Sequence, residues 1–173
     1  PTLPAKLLEN SGKRVFLGGN IGKNLFARLD EIGPDDCAVA ELSSFQLMKM
    51  TRSPSTAVVT NISPNQLDWH HDFDEYIAAK RRICASMPKN GLLVLNYDND
   101  RTRCFAEDAG CRVRFFSRKN KDVFCYIDGD GIHCGGKLLL ADGDIRLVGA
   151  HNRENYAAAI AATADLLADG IRV

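Results

Sequence analysis

Glu41, Asn61 and Asn20 each stand where an apolar run stops. Ala38-Val39-Ala40 runs into Glu41, Ala57-Val58-Val59 into Thr60-Asn61, and Asn20 follows the two glycines after Val15-Phe16-Leu17. Ligands of layered α/β folds bind beyond the carboxyl ends of the strands, so parallel strands would turn all three residues toward one edge. A carboxylate there suits a hard cation such as magnesium, which takes oxygen ligands and phosphate partners. It suits equally a cap on the turn that follows. The segment Gly18-Gly19-Asn20-Ile21-Gly22 lets backbone approach an anion ahead of a helix, and it also fits an ordinary tight turn. It matches neither the G-x-G-x-x-G fingerprint nor a phosphate loop.

Lys80 is the most informative single residue. On a helical wheel for residues 73–87, Phe73, Tyr76, Ile77, Ile83, Cys84 and Met87 share one apolar sector, and Lys80 falls inside it while Arg81 and Arg82 point away. A core-facing lysine must pair, snorkel or lose its charge. Desolvation favours the neutral amine, a nucleophile able to take up carbon dioxide as a carbamate and so become an oxygen ligand for magnesium. A snorkelling side chain, or an ion pair with Asp68 or Asp74, accounts for the same pattern. Asn152 and Asn155 lie one turn apart at the start of the last helix, where their amides suit a purine edge or act as a cap and a surface residue. The loop Asn61–His71 is dense in polar side chains and holds the only Trp, Trp69. Its His70 and His71 are candidate ligands or acid/base groups, or plain surface histidines.

The elements that must position these residues follow from the pattern of the chain. Short apolar runs at 15–17, 38–40, 57–59 and 92–95 alternate with helical segments near 2–11, 22–32, 72–87 and 99–109, and continuous apolar runs of this kind fit strands covered on both faces. The expected fold class is therefore α/β: three layers, α/β/α, around a mainly parallel sheet. From Cys111 to Val148 the texture changes to short strands broken by Asp128-Gly129-Asp130-Gly131, Gly135-Gly136 and Asp142-Gly143-Asp144. No segment there is long enough for a crossover helix, which predicts a small accessory antiparallel sheet over 111–148. An Ala-rich helix from His151 to about Asp169 closes the chain.

With 173 residues, 45% of them apolar, the chain can bury a sizeable core. Lys and Arg total 22, as do Asp and Glu, and this neutrality argues against a dedicated nucleic-acid binder. No apolar run approaches the ~18 residues of a membrane helix, and no signal peptide opens the chain. The irregularly spaced cysteines are expected to be reduced thiols of a cytoplasmic protein, with no zinc site around His133 and Cys134.

Five motifs occur in order: Gly18-Gly19-Asn20-Ile21-Gly22; Glu41-Leu42-Ser43-Ser44-Phe45-Gln46-Leu47; Asn61-Ile62-Ser63-Pro64-Asn65-Gln66-Leu67-Asp68-Trp69-His70; Tyr76-Ile77-Ala78-Ala79-Lys80; and His151-Asn152-x-x-Asn155. Together they span nearly the whole chain and resemble the central domain of the Mur ligases, most closely the branch that joins D-glutamate to UDP-N-acetylmuramoyl-L-alanine. The resemblance implies an ATP-dependent amide-forming ligase of peptidoglycan synthesis that works through an acyl phosphate. It implies that Glu41 holds a first magnesium and Lys80, as the carbamate, a second. It places Asn20, Ser43 and Gln46 toward the muramoyl-alanine substrate, and Asn152 and Asn155 toward the adenine of ATP. The family usually carries a His where this chain has Gln66; Gln66 or His70 would then complete the second magnesium site.

The stretch Ser43-Ser44-Phe45-Gln46 argues against the sister ligases and the enzymes that add glutamate to folate. A degenerate, non-catalytic binding module is the alternative from another class. The family's phosphate loop, its uridine-nucleotide domain and its D-glutamate domain are not found within 1–173. The chain therefore reads as a central ATP-binding domain alone, expected to be inactive, with negligible ATP affinity, an empty site and an unmodified Lys80. The intact enzyme is expected to be a cytoplasmic monomer that neither inserts into membranes nor binds nucleic acid.

Overall fold

A computed structural model describes residues 1–20, 24–64, 70–147 and 149–167. The chain divides into two compact units, residues 1–43 with the segment from 163 onward, and residues 44–162.

In the first unit, α1 (Thr2–Asn10) buries Ala5, Leu7 and Leu8, and the Ser11 hydroxyl closes its end by donating to Leu7 O at 2.9 Å. Two strands, β1 (Val15–Gly19) and β2 (Cys37–Glu41), pair in parallel with Val15 opposite Cys37 and Gly19 opposite Glu41. The helix expected over 22–32 is a 3-10 helix over Leu25–Glu31. In that geometry side chains three apart eclipse, and Arg28 pairs with Glu31 at 2.8 Å across that spacing.

The second unit is built on a six-stranded sheet, β3 (Thr56–Val59), β4 (Leu92–Asn96), β5 (Arg112–Ser117), β6 (Cys125–Ile127), β7 (Gly131–Cys134) and β8 (Lys137–Ala141), which lie side by side in chain order. β3 through β6 are parallel, and β6, β7 and β8 are antiparallel. Every residue of β4 is buried, as its uninterrupted apolar run requires of a central strand. One face of the parallel part carries Ala57, Val59, Leu93 and Leu95, packed with Tyr76 of α3 (Phe73–Arg81) and with Phe105, which follows the short α4 (Asp100–Arg103). The opposite face meets α5 (Ala150–Thr163): Arg114 of β5 donates to Ala161 O at 3.0 Å, and Tyr156 to Ala162 are buried. Within this unit that is the expected three-layer arrangement, while the runs at 15–17 and 38–40, expected in the same sheet, form the two-stranded sheet of β1 and β2.

Beyond the 3-10 segment, several details differ from the sequence expectation: the helix expected over 99–109 is the short α4 followed by a 3-10 turn over Cys104–Ala106, and α5 ends at Thr163. Among the described residues of 111–148 there is no separate accessory sheet, because β5 and β6 belong to the parallel array. β6 joins through only residues 118–124, and the register explains how: Cys125 lies beside Phe116 and Tyr126 beside Ser117, so β6 begins level with the end of β5 and the chain need not run back the length of a strand. Residues 145–147 form no strand. The helix expected over 72–87 ends at Arg81, after which Ile83 N bonds Lys80 O and Cys84 N bonds Arg81 O in i→i+3 turns. Ile83, Cys84 and Met87 still pack on the core from those turns.

A further difference is covalent. Cys125 and Cys134, expected as thiols, form a disulfide. They face each other across the β6–β7 hairpin. Gly135 N donates to Phe124 O and Asp128 N to Gly131 O. The ladder bonds thus fall on the even-numbered β6 positions, which leaves Cys125 and Cys134 in a non-hydrogen-bonded pair, where cross-strand neighbours come closest. Their Cα atoms are 4.1 Å apart and both residues are buried.

Candidate functional site

In the first unit the parallel register brings Asn20 and Glu41 to one strand end. Asn20 N donates to Glu41 O at 2.7 Å, directly beyond the Gly19–Glu41 pair. Gly19 makes this approach feasible: its φ is +105°, and a Cβ there would fall 2.1 Å from Glu41 O. Asn20 is exposed; Glu41 and Ser43 are half-buried. Ile21, Gly22 and Lys23, the rest of the glycine-rich turn, lie outside the described residues.

In the second unit the segment after Glu41-Leu42-Ser43 folds into α2 (Ser44–Met48), a helical turn that the sequence reading did not anticipate. Ser44 and Leu47 are buried, one turn apart on the inner side, while Phe45 and Gln46 are exposed. The apolar spacing Phe45, Leu47, Met48 carries no clear helical period, so the signal was weak. His70, placed by sequence as a ligand or a surface residue, is buried, and its Nε2 is 2.9 Å from Ser44 Oγ. Asn65, Gln66, Leu67, Asp68 and Trp69 lie outside the described residues, so neither the Gln66 substitution nor an Asp68–Lys80 pair is described.

Helix α3 begins with a reciprocal cap. Asp72 accepts from Glu75 N at 2.8 Å, and Glu75 accepts from His71 N at 2.6 Å. This fixes the start of the helix and with it the phase of Lys80. Lys80 is half-buried, its Nζ 5.7 Å from the Tyr76 ring centroid on the preceding turn. Burial pushes the Tyr76 hydroxyl up from its ordinary pKa. Lys80 is thus neither core nor fully exposed, on the side of the helix that carries Tyr76. Arg81, expected to point away, instead lies over the Phe105 ring and pairs with Asp108 at 2.6 Å.

The carboxyl ends of β3 and β4 are stitched together by residues that only the fold reveals. Asn99 Nδ2 donates to Asn61 Oδ1 at 2.6 Å and to Ile62 O at 3.0 Å, and Asn99 Oδ1 caps α4 by accepting from Thr102 N. Asn96 Nδ2 donates to Thr60 O at 3.0 Å, and the buried Thr102 hydroxyl donates to Asn96 O. The sequence placed Asn61 at a strand end; its partner Asn99 could not be chosen from a stretch with several amides and acids. On α5, Asn152 is half-buried and Asn155 exposed, one turn apart. A cavity of about 470 Å³ near the start of that helix is lined by Arg118, Ile127, Asp128, Gly129, Gly149, Ala150 and Arg153, and not by either asparagine.

The structure thus groups Asn20, Glu41 and Ser43 in one unit, and Gln46, His70, Lys80, Asn152 and Asn155 in the other. Residues 3–163 match the family described as Mur ligase middle domain. The chain belongs to that family. A UDP-N-acetylmuramoylalanine--D-glutamate ligase of Clostridium novyi (strain NT) is 46% identical over 159 residues, covering 91% of this chain and 35% of that protein. Its namesake in Acetivibrio thermocellus is 43% identical, covering 95% of this chain and 36% of its own length. This Mur ligase middle domain therefore spans about a third of the curated relatives it matches. Among solved structures, a UDP-N-acetylmuramoyl-L-alanyl-D-glutamate--2,6-diaminopimelate ligase superposes with a TM-score of 0.74 at 19% identity, over 95% of this chain and 40% of that one. MurF ligase from Thermotoga maritima, solved in complex with ADP, gives 0.74 at 16% identity over 99% of this chain and 43% of that one. At such identities the likeness is one of fold.

Proposed function

We propose that this domain is the central, ATP-binding part of a ligase that joins D-glutamate to UDP-N-acetylmuramoyl-L-alanine in peptidoglycan synthesis. The observation that carries the reading is the family match over residues 3–163, together with relatives of that name at 41–46% identity. The reaction has two stages: phosphoryl transfer to the carboxylate of the muramoyl-alanine substrate, then attack of the D-glutamate amine on the acyl phosphate with release of phosphate. Neither stage needs a protein nucleophile, so the chain contributes positioning and electrostatics.

In this reading Glu41 offers magnesium a carboxylate, the donor type that hard cations take. Lys80 offers no oxygen as an amine and gains two as a carbamate, and its half-buried setting over Tyr76 fits an amine drawn out of water. Magnesium, when bound, neutralises phosphate charge. Asn20, Ser43 and Gln46 face the muramoyl-alanine substrate; Asn152 and Asn155 receive the adenine through paired donors and acceptors. Gln66 remains a candidate for the second metal; His70, the other residue offered for it, has its Nε2 engaged by Ser44. The enzyme acts as a monomer in the cytoplasm, without nucleic-acid or membrane partners; among the described residues no helix is long and apolar enough to cross a membrane.

The test is phosphate release from ATP by the full-length protein, with the muramoyl substrate and a panel of amino acids. D-glutamate alone should support turnover, and Lys80→Ala or Glu41→Ala should each lower kcat by at least about a hundredfold. Equal turnover with another amino acid, or none with any, would overturn the assignment. The 173-residue chain by itself should catalyse nothing, and micromolar ATP binding by calorimetry would contradict the expectation that its nucleotide affinity is negligible.

A further inference from the structure

Among the described residues His70 is the one buried histidine. Its side chain is 0% exposed. Nε2 is engaged with Ser44 Oγ at 2.9 Å, and the hydroxyl is itself buried. Nδ1 has no hydrogen-bond partner among the described residues and lies 3.9 Å from a Glu75 carboxylate oxygen. The ring stands edge-on to Tyr76, with centroids 5.4 Å apart and planes at 80°. A buried nitrogen without a partner costs stability, so the ring stays where it is because Ser44 and Tyr76 fix it from two sides. Ser44 opens α2, two residues before Gln46. Tyr76 lies on α3, one turn before Lys80, and its ring lies beneath the lysine amine.

We infer that His70 is a positioning residue: through the Ser44 hydroxyl on one side and the Tyr76 ring on the other, it holds the turn carrying Gln46 against the helix carrying Lys80. The inference takes the importance of Gln46 and Lys80 from the ligase reading above; the contacts themselves do not depend on it. The geometry also distinguishes this role from metal ligation. One ring nitrogen is occupied by Ser44, so a cation could bind Nε2 only by displacing that hydroxyl, and the other lies buried 3.9 Å from a Glu75 carboxylate oxygen.

Two experiments test it. In the isolated chain, nitrogen-15 spectra of the histidine rings should show the His70 signals shifting in Ser44→Ala while those of His71, His133 and His151 stay in place. Unchanged His70 signals would overturn the inference whatever the enzyme's activity. In the full-length ligase, Ser44→Ala and His70→Ala should each lower kcat and raise KM for the muramoyl substrate by about tenfold together, and the double variant should be no worse than His70→Ala. His70→Gln, whose Nε2 reaches the same place, should recover most of the loss seen in His70→Ala. The magnesium requirement should not move in any of them. Additive effects would overturn the proposal, as would a raised magnesium requirement confined to the His70 variants or a His70→Gln as poor as His70→Ala. Should the unaltered enzyme show no D-glutamate-dependent turnover, the ligase reading fails and the spectra alone decide the contact.

Discussion

The two halves of the six-stranded sheet are held together by different means. At the centre of the parallel half β4 is covered on both faces: Leu93, Val94 and Leu95 are all 0% exposed, and the strand is stabilised by apolar burial in every direction. In the β6–β8 half only β6 buries alternate positions, β7 buries all but His133 and β8 buries Leu140 alone; a cross-link and a knot of charge add to this burial. The Cys125–Cys134 disulfide ties β6 to β7. At the tip Asp128 accepts from Lys121 Nζ at 2.8 Å and from Asp130 N at 3.0 Å, and pairs with His133 at 3.1 Å, whose ring stacks on Tyr126. Residues 101–121 are rich in base and 122–144 in acid, and Lys121–Asp128 is where the two stretches meet. The lesson is that a hairpin too thin to bury both faces borrows covalent and polar constraints, while the doubly covered strands need none.

This contrast can be broken most forcefully in the parallel half. Leu95→Ala should cost about 2–5 kcal/mol, because a fully enclosed site cannot collapse around the void. A denaturant midpoint barely changed from that of the unaltered chain would show that β4 is not the mechanical centre. Next in size is the hairpin cross-link. Closing a loop with a sequence separation of nine should contribute about 2–3 kcal/mol by restricting the unfolded chain. Reduction, or Cys125→Ser with Cys134→Ser, should speed amide exchange across β6 and β7 and leave β4 protected. A count of six free thiols in the native chain would remove the cross-link from the account altogether.

The smallest effect is electrostatic. The hydrogen bond from Lys121, opposed by partial desolvation and helped by Asp130 N and His133, lowers the Asp128 pKa from 3.8 to about 2. A carboxylate depressed on folding stabilises the native state above its unfolded pKa, and that contribution fades as pH falls from about 3.8 through about 2. Acid titration followed by unfolding should therefore show a shallower loss in this window for Asp128→Asn. An identical acid limb in both proteins would leave Asp128 with a purely geometric role in the turn.

How much was legible in the chain differs by element. The four apolar runs at 15–17, 38–40, 57–59 and 92–95 became strands, because a run with no polar interruption has few other ways to leave water. The half-buried setting of Lys80 was legible too, since a wheel needs only local geometry, but the same wheel turned Arg81 away from a core it packs against. The end of α3 at Arg81 was not: Ile83, Cys84 and Met87 continue the apolar sector and reach the core from turns as well as from a helix. The absence of a crossover helix after β5 pointed to an antiparallel partner, and a staggered register defeated that rule.

The amino-acid sequence by itself determined the layered class and the order of the motifs, and it marked out the residues proposed to meet phosphate, magnesium or a purine, because these depend on residue type and short-range spacing. Tertiary structure alone decided which polar residues meet. It brought Gly19 against Glu41, Asn61 against Asn99, Cys125 against Cys134 and His70 against Ser44. Each of these contacts joins residues far enough apart in sequence, or dependent enough on strand register, that only the packed backbone could select the partner.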